Sequence, residues 1–252
     1  MKSRALLLIL VLTAFSGSFG QVNVKDSAIT APIIYATYSY QFPGGDLAKR
    51  FGSNSSIGGG FLVKTSGNWL LGLEGNFLFG NGVKNQDSML VLISTPEGNI
   101  IDANGMYANV VLYERGYSFY GYFGKLIPVL SPNPNSGFTV TVGGGYVQNK
   151  IRVLNPDNTA PQLQGDYRKG YDKLNGGFAL TGSLGYIYLS DSRLLNFSLA
   201  FEFIQAWTKS KRDYNFDLKG PDPLHYSSQF YGIKACWFIP FYKRKPKEYY
   251  LY

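Results

Sequence analysis

Residues 195–203 read LNFSLAFEF, so Leu195, Phe197, Leu199, Phe201 and Phe203 alternate with Asn196, Ser198, Ala200 and Glu202. A period of two with this contrast describes a β-strand whose two faces meet different media. Residues 69–79 repeat it, with Trp69, Leu71, Leu73, Phe77 and Phe79 opposing Gly72, Glu74 and Asn76. So do Tyr231, Ile233, Trp237 and Ile239 against Gly232, Lys234 and Cys236, and Phe61 and Val63 against Gly58, Gly60 and Lys64. The pattern alone fits either a barrel in lipid or a soluble barrel with an apolar cavity. Size separates the two, because an eight-stranded barrel has an interior only just wide enough for side chains. Five large side chains per strand would overfill it, whereas Gly, Ser and a few charges fit. The apolar face is therefore read as the lipid face.

The same reading along the chain gives strands at 31–42, 55–65, 69–80, 110–127, 138–149, 177–189, 193–207 and 227–242. Their links at Ser66–Asn68, Leu130–Gly137 and Ser190–Ser192 are short and rich in turn residues. The links at 43–54, 81–109, 150–176 and 208–226 are longer and more polar. This sorting is the rhythm of an outer-membrane barrel, all-β and antiparallel, with short periplasmic turns and long external loops. Eight strands are expected, although residues 81–124 have the length to supply one more hairpin and make ten.

The N-terminus sets the compartment. Lys2 and Arg4 precede an apolar run from Ala5 to Ala14, and small residues end at Gly20. This reads as a secretory signal peptide over 1–20, with an apolar core too short for a spanning helix. The barrel domain would then be 21–242, followed by a tail over 243–252 holding Lys243, Arg244, Lys245, Lys247, Tyr249, Tyr250 and Tyr252. Basic and aromatic residues together suit anchoring at inner-leaflet phosphates, with docking to an envelope protein as the other reading of the tail.

Composition narrows the function. Cys236 is the only cysteine, which excludes an internal disulfide, and there is one histidine. A metal site built on the usual His and Cys ligands is not expected, the loop Asp residues lack EF-hand spacing, and no cofactor motif is found. The glycine triplets Gly58–Gly60 and Gly143–Gly145 lie inside strand patterns and read as bends or packing sites, not phosphate cradles. The net charge of +8 brings nucleic acid to mind. The basic residues nevertheless fall mainly in loops and tail, without a recognition helix, and favour anionic lipid head groups.

Three sets of residues carry functional expectations. Lys64, Glu74, Glu202 and Lys234 form a candidate interior charge network, in which neighbouring strands make Lys64–Glu74 and Glu202–Lys234 plausible pairs. A structural role for them competes with a narrow channel for water or small solutes. His225 and Ser227, at the outer end of the last strand, have the His-x-Ser arrangement of barrel lipid A deacylases, where histidine activates a serine nucleophile. That family's following Asn is Ser228 here, and no orienting carboxylate can be assigned. Finally, 81–109 contains the apolar run Met89–Ile93, which needs cover and reads equally as a lid or a docking surface.

The segments YSYQFPGGDLAKRFGSNSSIGGGFLVKTSGNWLLGLEGNFLFG, QLQGDYRKGYDKLNGGFAL and GIKACWFIPFYKR resemble a Bacteroidota outer-membrane barrel family, similar to small OmpX-like and PorT-like barrels. The resemblance implies fold and location and carries no reaction or ligand with it. The family's external segment corresponds to Gly165, Asp166, Tyr167, Lys169, Gly170, Tyr171 and Asp172. Tyr167, Arg168, Lys169 and Tyr171 are the candidate contact patch, since amphipathic aromatic and basic side chains suit glycan and phosphate surfaces. The expectation is a non-catalytic structural or accessory barrel. Its partners would be outer-membrane lipid and lipopolysaccharide, with an envelope protein possible through the loops or tail. The alternatives are the channel and the rim esterase.

Overall fold

Eight antiparallel strands are hydrogen-bonded in sequence order and the last pairs with the first, closing a barrel in the computed structural model. The strands are β1 (Ala31–Gly45), β2 (Asn54–Lys64), β3 (Trp69–Gly80), β4 (Val111–Ile127), β5 (Gly137–Leu154), β6 (Asn175–Leu189), β7 (Asn196–Ser210) and β8 (His225–Pro240). The structure describes residues 27–84, 89–190 and 195–241, so the expected signal peptide and basic tail lie outside the described residues. The closed ring answers the question of strand number: among the described residues 81–109 contributes only isolated bridges, Val83 to Phe51, Ser94 to Ile100 and Ile101 to Tyr107, and adds no strand to the ring. No helix among the described residues is long and apolar enough to cross a membrane. The crossing is made by strands, which satisfy one another's backbone groups with no open edge.

Alternation decides which way each side chain points. Leu199, Phe201, Leu71, Leu73, Ile233 and Trp237 all face outward and are exposed, whereas Glu74, Glu202, Thr37 and Ser39 are buried inside. The outer wall is therefore apolar and the interior polar, the arrangement that lipid requires. From Tyr117 to Ile127 the outward face of β4 spans about 33 Å of strand, or about 25 Å of height at a tilt of about 40°. Aromatic belts bound this band. At the outer end the hydroxyls of Tyr38, Tyr40 and Tyr117 hydrogen-bond Ser55, Ser53 and Gln148. At the inner end Lys125 sits over the Trp69 ring at 4.4 Å, and Tyr186 donates to the carbonyl of Leu130.

Strand-interior glycines make room inside the barrel. A Cβ on Gly72 would come within 2.5 Å of the Tyr122 ring, and one on Gly60 within 2.5 Å of the Tyr35 hydroxyl. These inward glycines are the seats for two large side chains in a bore otherwise too narrow for them.

The link at 130–137 is more than a turn. Its residues Asn133, Asn135 and Ser136 are buried, folded into the inner mouth. Asn133 Nδ2 and Ser136 Oγ donate to the carbonyl of Leu189, and Asn135 accepts from the backbone N–H of Ile29.

Candidate functional site

At mid-barrel, Lys234 on β8 reaches across the bore and donates to Glu74 Oε1 on β3 at 2.5 Å and to Glu202 Oε1 on β7 at 2.9 Å. The remaining oxygens of these two carboxylates also find donors. Tyr35 donates to Glu74 Oε2 at 2.8 Å and Gln41 to Glu202 Oε2 at 3.3 Å, while Asn76 adds a bond to Glu74 Oε1 at 2.9 Å. The hydroxyls of Tyr35 and Tyr122 stand 2.8 Å apart, extending the chain to β4. The Glu202–Lys234 pairing follows from adjacency, with Ala200 opposite Lys234 and Glu202 opposite Gly232.

The Lys64–Glu74 contact expected from neighbouring strands does not form. Register puts Glu74 opposite Gly60 and Lys64 opposite Leu70, so the two charges sit four residues apart along the wall. Lys64, only 1% exposed, instead donates to Asn135 Oδ1 at 2.8 Å and to the carbonyl of Ile29 at 3.3 Å, fastening the inner plug. Two carboxylates share one ammonium, and Lys234 spans the bore from β8 to β3. Beside it lies a cavity of about 60 Å³ lined by Tyr120, Thr141, Thr181 and Ser183 among others.

The outer mouth is closed by the loops, which are tied to one another. Segment 46–53 pairs with 81–84 through Gly52 N–H to Gly82 O and Lys84 N–H to Arg50 O. Segment 81–109 is joined to the fifth-to-sixth-strand loop through Ala103 N–H to Thr159 O and Gln162 Nε2 to Ile101 O. That loop is tied to the seventh-to-eighth by Lys173–Asp217 at 2.5 Å and Arg212–Asp172 at 2.5 Å. The bond to Asp172 and burial act on Arg212 in opposite senses, and the bond prevails, raising its pKa. Beneath these ties is one apolar core containing Leu47, Phe51, Val83, Leu90, Ile100, Leu163 and Tyr171, continuous with barrel residues such as Phe230 and Ile204.

This core corrects the candidate contact patch. Tyr171 is 6% exposed and packs on Phe216 with ring centroids 4.8 Å apart, so it belongs to the cap's interior, where burial raises the pKa of its hydroxyl. Tyr167 is 66% exposed on a short 3-10 turn, Arg168 is exposed beside it, and Lys169 bonds Asp166 at 2.6 Å. The aromatic residues of that segment divide between packing and display because a one-turn helix points positions four apart in different directions. Residues 81–109 divide likewise: Met89, Leu90 and Ile100 are buried, while Val91, Leu92, Ile101, Met106 and Tyr107 are exposed.

His225 and Ser227 lie at the outer rim on one face of β8 and are both exposed. The Ser227 hydroxyl is engaged by Gln205 Nε2 at 3.0 Å, and its backbone N–H donates to Asp46 Oδ2 at 3.0 Å. Among the described residues no hydrogen bond joins His225 to Ser227, and no carboxylate orients the imidazole. Nor do three His, Cys, Asp or Glu side chains gather there as metal ligands.

No protein-family model matches the chain, and no curated protein matches it. Similar solved structures are the attachment invasion locus protein Ail of Yersinia pestis, in complex with the heparin analogue sucrose octasulfate (9% identity, 83% of this chain and 99% of that one, TM-score 0.43), and the outer-membrane protein OprG of Pseudomonas aeruginosa (13%, 88% and 100%, 0.39). Neisserial surface protein A is a third (10%, 83% and 97%, 0.39). With a closed ring, a polar interior and a lipid-facing apolar wall, this chain is an integral outer-membrane β-barrel.

Two features escaped the sequence reading. Tyr35, Gln41 and Asn76 complete the interior network, and only register reveals them. β5 and β7 also extend beyond the expected ends, to Leu154 and Ser210. The signal for β5 was present, since Lys150 and Arg152 alternate with Ile151 and Val153.

Proposed function

We propose that this chain is a non-catalytic barrel with a structural or accessory role, whose external cap offers a preformed surface to a partner protein or a surface glycan. The observation that carries the reading is the cap itself. A membrane anchor needs no shared apolar core among its loops, yet these loops bury one and leave Val91, Leu92, Met106, Tyr107 and Tyr167 outside it. Exposed apolar side chains on a fixed frame are the usual composition of a recognition surface. The finer family reading, a Bacteroidota barrel similar to OmpX-like and PorT-like proteins, rests on the segments quoted above.

The test is affinity purification of the tagged barrel from outer membranes in mild detergent, beside a variant in which 91–107 is replaced by a short Asn-Gly turn. A protein or glycan retained by the first and lost by the second supports the reading, provided both keep the β-sheet circular dichroism of the folded barrel. Identical co-purifying material refutes it.

A further inference from the structure

On the outward face of β5, Tyr146, Gln148, Lys150 and Arg152 follow one another toward the outside, while Val147, Asn149, Ile151 and Val153 point in. On neighbouring β4 the outward series is Tyr117, Arg115 and Tyr113, in the register Tyr117 to Gln148, Arg115 to Lys150 and Tyr113 to Arg152. Gln148 Oε1 accepts from Tyr117 at 2.8 Å and from Tyr146 at 3.3 Å. Below this tie the same wall carries exposed Phe119, Phe123, Val142 and Val140. The tie therefore marks the upper edge of the hydrocarbon. Lys150 stands two residues above it and Arg152 four, about 5 and 10 Å higher at a typical tilt.

Arg115 and Lys150 are thus cations at directly opposed positions of adjacent strands, an arrangement that is unfavourable by itself and that a bound anion would relieve. Among the described residues no carboxylate forms a salt bridge with Arg115, Lys150 or Arg152, although the chain pairs other external cations, such as Arg212 and Lys173. Arg115 is held in place, with Nη1 donating to the carbonyls of Glu114 and Gly80 and the guanidinium over the Tyr113 ring at 4.8 Å.

We infer that this ledge on the barrel wall binds the phosphate groups of an outer-leaflet glycolipid of the lipid A type, with its acyl chains on the apolar wall beneath. Height selects the occupant. An anion bound here lies beside the membrane surface, and a glycolipid supplies phosphate and hydrocarbon in the same vertical order as the wall supplies cations and apolar side chains. The ledge is separate from the cap surface and does not depend on the function proposed for it.

The experiment is native mass spectrometry of the full mature barrel in detergent with three lipids: bisphosphorylated lipid A, the same lipid with its phosphates removed, and phosphatidylglycerol. The variant is Arg115→Gln/Lys150→Gln/Arg152→Gln, beside a control, Lys84→Gln/Lys219→Gln, which removes the same kind of charge from the loops. The wild type and control are expected to retain lipid A equally, and the triple variant about 10- to 100-fold less. Dephosphorylated lipid A is expected to bind all three proteins weakly. Should the triple variant lose its β-sheet circular dichroism, Lys150→Gln/Arg152→Gln tests the same point at two exposed positions. Equal retention by wild type and a folded variant overturns the inference. So does phosphatidylglycerol binding the ledge as tightly as lipid A, which would make it a general anionic surface.

Discussion

Replacing Lys234 by Met tests whether the mid-barrel charges hold the fold together. The substitution keeps an unbranched side chain one atom shorter and removes the one ammonium shared by Glu74 and Glu202, at 2.5 and 2.9 Å. At an effective dielectric of about 20, each pair attracts by about 6 kcal/mol before desolvation is counted. Desolvation offsets much of this, and measured losses on breaking a buried pair from one side are about 3–5 kcal/mol. Lys234→Met should therefore lower the stability of the refolded barrel by about that amount, read from urea unfolding in lipid vesicles by tryptophan fluorescence. Adding Glu74→Gln and Glu202→Gln should recover most of the loss, because the charges left unpaired are then gone. Lys64→Met breaks hydrogen bonds to Asn135 and Ile29 but strands no carboxylate, so its cost should be nearer 1–2 kcal/mol. If Lys234→Met unfolds at the same urea concentration as wild type, or if the triple variant is no more stable than the single one, the network does not work as described.

Planar-bilayer recordings should show no discrete conductance, since Lys234 spans the bore, the 131–136 segment fills the inner mouth and the loops cover the outer one; steady single-channel steps would revive the channel reading. Phe216→Ala should remove the partner of Tyr171 and loosen the cap, detected as faster protease cleavage within 155–174 while the strands stay protected, with unchanged cleavage counting against a shared core. The Asp46 carboxyl is held below the usual range, first by its hydrogen bond from Lys49 and then by the Ser227 backbone N–H. A carboxyl lowered in the folded state contributes fully above its unfolded pKa of about 3.9 and loses that contribution as pH falls through its folded pKa. The protection of the Ser227 amide, measured relative to its intrinsic exchange rate, should accordingly fall in acid below about pH 4, and Asp46→Asn should remove that change in protection. His225→Ala should leave lipid A acylation unchanged in cells, as read by mass spectrometry of extracted lipid A.

Much of the barrel was legible because its two faces meet media of opposite character. Wherever lipid lay outside, as along Leu195–Phe203, alternation marked both the strand and its orientation. Where the strand rose out of the membrane that contrast weakened. Lys150-Ile151-Arg152-Val153 still alternates, but outside the membrane it competes with a loop reading, so the strand expected from sequence ends at 149 while β5 runs to Leu154. Strand pairing was legible as neighbourhood and not as register. Adjacency correctly joined Glu202 to Lys234, yet it offered Lys64 to Glu74 equally, and the four-residue offset set by the 65–68 turn separates them.

The same limit explains why the interior site was only half visible. A pattern of period two says that Glu74 and Lys234 both point inward, but strands three apart around the ring meet only if the bore is narrow enough for one lysine to cross it. Tyr35 and Tyr122 narrow it further, and they fit because Gly60 and Gly72 have no side chains to exclude them. These two glycines are thus what lets aromatic and charged side chains meet at the centre. The outside of the barrel has two distinct surfaces: the apolar display of the cap and the basic ledge on β4 and β5. A glycolipid held at the ledge would place its sugars beside the cap. Loss of cap partners in the ledge variant, with the cap itself unaltered, would then mean that the two surfaces recognise one assembly, whereas independent losses would mean two separate ligands.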